Sequence, residues 1–108
     1  MYSKSLSARI RQSLGRRTGI EEKKMFGGIG FLLHGNMCVG VWQNSLIVRL
    51  GPENGPAALS EPFVKPFDVT GRPMKGWAMV EPEGLDTEDQ LDAWIQRSIE
   101  FVATLPAK

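Results

Sequence analysis

The chain has 108 residues, of which 42% are hydrophobic and 23% are charged, and its formal net charge is +1. This length predicts one domain, residues 1–108, with enough buried surface to fold without a disulfide or a structural metal. Cys38 is the only cysteine, which excludes an intramolecular disulfide and a zinc site built from cysteine pairs. No run approaches the roughly 20 apolar residues that span a bilayer. We therefore expect a cytoplasmic protein.

The small net charge is the sum of two oppositely charged ends. Residues 1–24 contain seven Lys or Arg and two Glu, whereas residues 81–108 contain two basic and seven acidic residues. Such an asymmetry is typical of two solvated helices, or of two surfaces that attract each other within the molecule or across a dimer.

The N-terminal segment is predicted to form an amphipathic helix over residues 3–17. Leu6, Ile10 and Leu14 recur every four positions and form one apolar stripe. The arginines of this segment flank that stripe on both sides. Its basic, serine-rich composition is also typical of an organellar presequence, but the apolar spacing favours a helix that packs on a core.

The next block, residues 23–50, is predicted to form a meander of antiparallel strands. Phe, Ile, Leu, Val and Trp dominate it, and single glycines interrupt it. The Gly-Asn pair at 35–36 is a hairpin signal, and Gln-Asn-Ser at 43–45 is a weaker one. The glycines at 27–28 separate a fourth strand from the three that these turns define.

The second half is predicted to begin with a connection over residues 51–56 and a short helix that starts at Pro56. Two extended segments follow, residues 63–69 and 75–80, joined by a turn at 70–73.

A long C-terminal helix is predicted to begin at Asp86 or Thr87, where Gln90 is placed to complete a capping box on Thr87. Pro106 ends it. Its apolar face consists of Leu91, Trp94, Ile95, Ile99, Val102 and Leu105. The order of all these elements predicts an α+β fold, in which an antiparallel sheet of about five to six strands, built as a hairpin meander, packs against N- and C-terminal helices.

Three segments resemble the TfoX N-terminal domain family: Lys-Met-Phe-Gly-Gly-Ile-Gly-Phe at 24–31 with Gly-Asn-Met at 35–37, Arg-Pro-Met-Lys-Gly-Trp at 72–77, and the helix from 86 through 94. The resemblance covers about residues 9–103. It implies a secretion-chaperone-like α+β fold, often dimeric, and carries no catalytic residues with it.

The namesake of the family is a bacterial regulator of natural competence that works with a cyclic-AMP receptor protein, so the resemblance implies a regulatory role. That regulator has a second, helical C-terminal domain, which is not recognisable here. We therefore expect a stand-alone domain of the N-terminal type.

Single residues with chemical potential are expected to be structural. The glycines at 27–30 precede a strand rather than a helix, which favours a bulge or a close strand contact over a phosphate loop. His34 has no partner nearby in sequence and is expected to be exposed, and Cys38 is expected to be buried and unreactive. We predict no catalytic residue, no cofactor and no metal site.

The basic residues offer candidate binding positions. Arg49, Lys65, Arg72 and Lys75, with Trp42 and Trp77, are predicted either to line one basic, aromatic surface or to be solvated strand positions beside core tryptophans. The candidate interaction residues are Arg9, Arg16, Arg49, Arg72, Lys75 and Trp77.

The leading hypothesis is a non-enzymatic, regulatory protein-interaction domain that forms a homodimer and binds an unidentified protein partner. The alternative is a nucleic-acid-binding module that uses the first helix and the strand Arg and Lys residues. A third hypothesis is an enzyme or ligand carrier with a small pocket near Arg49 and Lys75.

Overall fold

The computed structural model describes residues 2–15, 17–25, 27–68 and 74–107. These residues form an α+β fold with three α-helices and a six-stranded antiparallel sheet, which confirms the predicted class. The elements in chain order are α1 Lys4–Leu14, β1 Ile20–Met25, β2 Gly28–Leu33, β3 Asn36–Trp42, β4 Ser45–Arg49, α2 Gly51–Ala58, β5 Val64–Pro66, β6 Trp77–Val80, a 3-10 helix Pro82–Leu85 and α3 Glu88–Val102.

The strands lie in the order β1-β2-β3-β4-β6-β5, and every neighbouring pair is antiparallel. The first four strands are the predicted meander. The chain then returns to β4 through β6, so β1 and β5 are the edges of the sheet. The middle of β1 is Glu-Glu-Lys-Lys at residues 21–24, all exposed. Charged side chains of this kind discourage pairing with another strand.

One face of the sheet is covered by α1 and α3. Leu6, Ile10 and Leu14 of α1 are buried there, as the four-residue spacing predicts. The face of α3 contributes Leu91, Trp94, Ile95, Ile99 and Val102, and the sheet contributes mainly Phe, Val, Leu and Ile side chains. This cluster is the main hydrophobic core.

Both long helices begin at side-chain caps. The Ser3 hydroxyl accepts a hydrogen bond from the Leu6 amide at 3.1 Å. Thr87 and Gln90 form the predicted capping box, with bonds of 3.1 Å and 2.9 Å in the two directions. The C-terminal ends of both helices differ from the predicted ends. The helix α1 stops at Leu14 because Gly15 has a φ of 58°.

The helix α3 ends earlier than predicted, at Val102, and residue 105 lies beyond it. The Thr104 and Leu105 amides donate to carbonyl groups only three residues back, which tightens the chain into a turn before Pro106.

The helix α2 begins at Gly51 rather than at Pro56, so the predicted connection over residues 51–56 is wrong. A Cβ on Gly55 would lie 2.5 Å from the Gly76 Cα, so α2 packs directly against the backbone that enters β6. The amides of Leu50 and Gly51 both donate to the Gly76 carbonyl, which fixes the start of this helix. Because Gly76 is distant in sequence from the residues that it contacts, no local pattern predicts the start of α2.

The strands β5 and β6 pair as predicted but are shorter than residues 63–69 and 75–80. Phe63 has a φ of 64°, which is incompatible with a strand at that position. The predicted turn at 70–73 lies outside the described residues.

Candidate functional site

The face of the sheet opposite α1 and α3, here called the open face, is apolar. Along β4, Leu46 and Val48 belong to the main core, whereas Ile47 points the other way into a second cluster with Phe67 and Met79. Trp42, Met74 and Trp77 pack around that cluster. No helix residue in the described part of the chain joins it. A solvated sheet face normally carries polar residues, so the open face is unusual.

A pocket of about 220 Å³ lies on the open face. Its lining is almost free of polar atoms. The residues that line it come from strands β1 to β4, from just after β5 and from around the start of β6, and they include Met25, Met37, Trp42, Phe67, Met74 and Trp77. Phe67 and Trp77 form one wall, with ring centroids 5.8 Å apart and planes tilted by 44°.

Glycines allow methionines to lie against the sheet in this pocket. A Cβ on Gly30 would lie 2.7 Å from the Met37 Sδ and 2.8 Å from the Met25 Cε, and one on Gly40 would lie 2.9 Å from the Met37 Cε. A Cβ on Gly28 would meet the Val41 carbonyl oxygen, and β2 and β3 shift register at 31/32. The predicted close strand contact is therefore confirmed for Gly28, whereas Gly27 has no neighbour within 4 Å and instead has a φ of 76°.

Arg49 lies at the edge of the pocket. Its guanidinium carbon is 5.2 Å from the Trp77 ring centroid and 5.9 Å from the Phe101 ring centroid. Its Nη1 donates a long hydrogen bond of 3.4 Å to the Met37 carbonyl. The side chain is half-buried, and no carboxylate among the described residues lies within salt-bridge distance of it.

The structure divides the candidate interaction residues between two places. Arg49 and Trp77 are in contact, and Lys75 is exposed two residues before Trp77. Arg9 lies instead between α1 and the start of α3. Arg16 and Arg72 lie outside the described residues.

The oppositely charged chain ends meet within the molecule, which was one of the predicted arrangements. Arg9 Nε donates to Glu88 Oε1 at 2.7 Å, and its Nη2 donates to the Leu85 carbonyl at 2.6 Å. The Ser13 hydroxyl donates to Asp92 across the same contact. The N-terminal charge is therefore partly matched by α3.

A second arginine of α1 pairs with β1. Arg11 donates two hydrogen bonds to the Glu22 carboxylate, at 2.6 Å and 2.7 Å. These bonds favour both charged forms, so the pKa of Arg11 is raised and the pKa of Glu22 is lowered. Both side chains remain substantially exposed.

His34 and Cys38 have the expected burial. His34 is exposed in the hairpin turn with a φ of 51°. Cys38 is buried, and this burial raises the pKa of its thiol to about 12. In residues 2–15, 17–25, 27–68 and 74–107, no three His, Cys, Asp or Glu side chains converge as a metal site would require. None of the described helices has the length and apolar character needed to cross a membrane.

Sequence reasoning assigned no role to the methionines. The chain has five, and Met25, Met37, Met74 and Met79 all lie on the open face. Their clustering depends on the strand order, but one signal was present in the sequence. Met79 alternates with the buried Ala78 and Val80 in β6, which places it on the face opposite the main core.

These features define a small α+β domain whose sheet has one helix-covered face and one apolar open face with a pocket. The family model for the TfoX N-terminal domain matches residues 12–102, which include the whole pocket. The chain belongs to the TfoX N-terminal domain family. Neither the curated proteins nor the solved structures give a significant match to it.

Proposed function

We propose that this domain is a non-enzymatic regulatory domain that acts by binding protein through its open face. The observation that carries this proposal is the apolar character of a sheet face that no described helix covers. The central side chains of this face, Ile47, Phe67 and Met79, are buried, so the apolar area that a partner would meet is that of the half-buried side chains around them, Trp42, Met74 and Trp77. Apolar area of this kind supports an interaction site. Tryptophan is enriched among residues that dominate binding energy, and methionine adapts its shape to a partner.

The partner that we propose for this face is a second copy of the chain. The described charges on or beside the open face are nearly balanced: Lys23, Arg49, Lys65 and Lys75 against Glu21, Asp68 and Glu81. A symmetric dimer requires a self-complementary surface, and a near-balance of charge is compatible with one because it avoids repulsion between like charges. The charged edge strand β1 makes pairing through the face more favourable than pairing through the edge. The family resemblance also implies a dimer.

Nucleic acid is the less favoured partner. Binding to phosphates requires lysines and arginines with free charge on one surface. Arg9 and Arg11 already pair with Glu88 and Glu22, and Lys65 lies 3.3 Å from Glu81. The proposed setting is regulation in the bacterial cytoplasm, with transcription and competence as the processes that the family resemblance implies.

The proposal is tested by the mass of the domain in solution. Sedimentation velocity over a range of concentrations should give a dimer for the wild-type chain and a monomer for Trp42→Glu, because the charge would enter the apolar face. Leu59→Glu is the matched control, since Leu59 is 38% exposed at the end of α2 and away from the pocket. It should remain dimeric.

Circular dichroism and thermal unfolding would establish that both variants are folded. A wild-type chain that stays monomeric at every concentration would contradict self-association. Equal dimerisation of the wild type and folded Trp42→Glu would contradict the open face as the interface.

A further inference from the structure

We infer that the pocket on the open face binds a small molecule that has an apolar body and a carboxylate. This inference goes beyond the proposed self-association, because it concerns a site that one copy of the chain forms alone. Two observations carry it: the size and lining of the pocket, and the position of Arg49.

The size of the pocket sets the size of the apolar body. A buried apolar cavity of about 150 Å³ holds benzene, whereas drug-sized ligands occupy about 300 Å³ or more. At about 220 Å³, the pocket lies between these values. One aromatic ring with a short alkyl chain fits this space.

The lining selects an apolar body and adapts to it. The Phe67 and Trp77 rings, tilted by 44° to each other, form an aromatic wall against which an aromatic ligand can pack. Met25 and Met37 lie across Gly30, and their unbranched side chains can change rotamer when a ligand enters. A polar body would lose its hydration without gaining hydrogen bonds here.

Arg49 is the residue that we expect to bind the carboxylate of the ligand. It contacts two residues of the lining, Trp77 through its guanidinium face and the Met37 carbonyl through Nη1. A guanidinium has five N–H donors, which suit the two oxygens of a carboxylate. Because Arg49 is half-buried and has no carboxylate partner among the described residues, an incoming anion meets a cation that is already partly dehydrated.

A second half-buried arginine provides a comparison. Arg97 also lies over a tryptophan, with its guanidinium carbon 4.2 Å from the Trp94 ring centroid. Unlike Arg49, it has a carboxylate partner, because its Nη2 donates to Glu61 Oε2 at 2.9 Å. Arg97 is therefore the natural control for Arg49.

Tryptophan fluorescence can report binding directly. Trp42 and Trp77 line the pocket, whereas Trp94 is buried on the covered face. We propose titration with 4-phenylbutyrate and, separately, with 4-phenylbutan-1-ol, which has the same body without the charge. The acid should produce a saturable change and bind about tenfold more tightly than the alcohol, which corresponds to about 1.4 kcal/mol. The change should persist in Trp94→Phe.

Two variants test whether Arg49 causes the preference for the acid over the alcohol. Arg49→Met should bind the acid and the alcohol with similar affinity, because it keeps the apolar stem and loses the charge. Arg97→Met should keep the tenfold preference. The comparison of acid with alcohol on the wild type needs no variant, so the inference can be tested even where Arg49→Met does not fold.

Methyl NMR of the methionines gives the location. Shifts at Met25, Met37 and Met74 on addition of 4-phenylbutyrate would support the pocket. An absence of saturable binding, equal affinity for acid and alcohol in the wild type, or an unchanged preference in Arg49→Met would each overturn the inference.

The outcome is separable from that of the proposed function. A wild-type monomer that binds 4-phenylbutyrate would contradict self-association and support the pocket. A chain that dimerises through the open face but does not bind the acid, even in dilute solution where the dimer dissociates, would support self-association and overturn the ligand-binding pocket.

Discussion

The two faces of the sheet are both apolar, but they are built from different residues. The covered face consists mainly of Phe, Val, Leu and Ile, whose side chains are sealed under α1 and α3. The open face consists mainly of Met and Trp above glycines. Branched side chains have few rotamers and favour one packing arrangement, whereas methionine is flexible. The covered face therefore specifies the fold, whereas the flexible side chains of the open face can change shape without disturbing it.

The largest expected effect separates the two faces by stability. Phe31 on the covered face is fully buried, so Phe31→Ala should lower the free energy of unfolding by about 3 to 5 kcal/mol. Met74 on the open face is half-buried, and Met74→Ala should cost less than about 1 kcal/mol, because its neighbours are partly solvated. Urea denaturation measures both values. Equal losses would contradict the division of roles.

The next effect distinguishes two glycines in β2. Gly28→Ala would place a Cβ against the Val41 carbonyl oxygen, which is backbone and cannot move aside, so we expect a loss of about 2 to 3 kcal/mol. Gly30→Ala meets only the ends of Met25 and Met37 and should cost under about 1 kcal/mol. It should also weaken binding of 4-phenylbutyrate. A larger loss for Gly30→Ala in thermal or urea unfolding would disprove this ordering.

A smaller effect concerns the thiol of the main core. Burial raises the pKa of Cys38 from 9.0 to about 12, so between these values the unfolded chain ionises and the folded chain does not. Stability that is present below the unfolded pKa is therefore lost as the pH rises through this window. From about pH 9 to pH 10.5, the wild type should lose about 1 to 2 kcal/mol relative to Cys38→Ala. If the free energies of unfolding of the two proteins change with pH in the same way, the raised pKa of the Cys38 thiol is contradicted.

The smallest effect concerns the ion pair between α1 and α3, which cover the core. The Arg9 and Glu88 side chains are 31% and 60% exposed. A double-mutant cycle should give a coupling of about 0 to 1 kcal/mol that decreases with added salt. A salt-independent coupling above about 2 kcal/mol would mean that this ion pair, rather than apolar contact alone, holds α1 against α3.

The elements that were predicted correctly depend on neighbouring residues. The hairpin between β2 and β3 was predicted from Gly-Asn at 35–36, although its turn is His34-Gly35, one position earlier, and Asn36 already pairs with Leu33. The Thr87 and Gln90 pair produced the start of α3. Both signals act within four residues, so the sequence contains the whole interaction. The start of α2 was missed because it depends on Gly76, which is more than 20 residues along the chain.

The candidate site likewise combines residues whose chemistry is recognisable in the sequence with residues that only distant contacts bring together. Arg49 and Trp77 were predicted as candidate interaction residues from their chemistry, and they are in contact because β4 pairs with β6. Met25, Met37 and Met74 were not recognised. They come from separate segments, and only the pairing of the strands brings them to one pocket.

The two long helices, the four-strand meander and the burial of Cys38 follow from the sequence alone, because apolar periodicity and turn chemistry are local properties. The return of β6 beside β4, which leaves β5 at the edge of the sheet, was not predictable from the sequence. Strand order depends on contacts between segments that are distant in the chain, and the free energy of such contacts cannot be inferred from neighbouring residues. That packing places Met and Trp on the other face, which no helix among the described residues covers, and brings Arg49 into contact with two residues of their pocket, Met37 and Trp77.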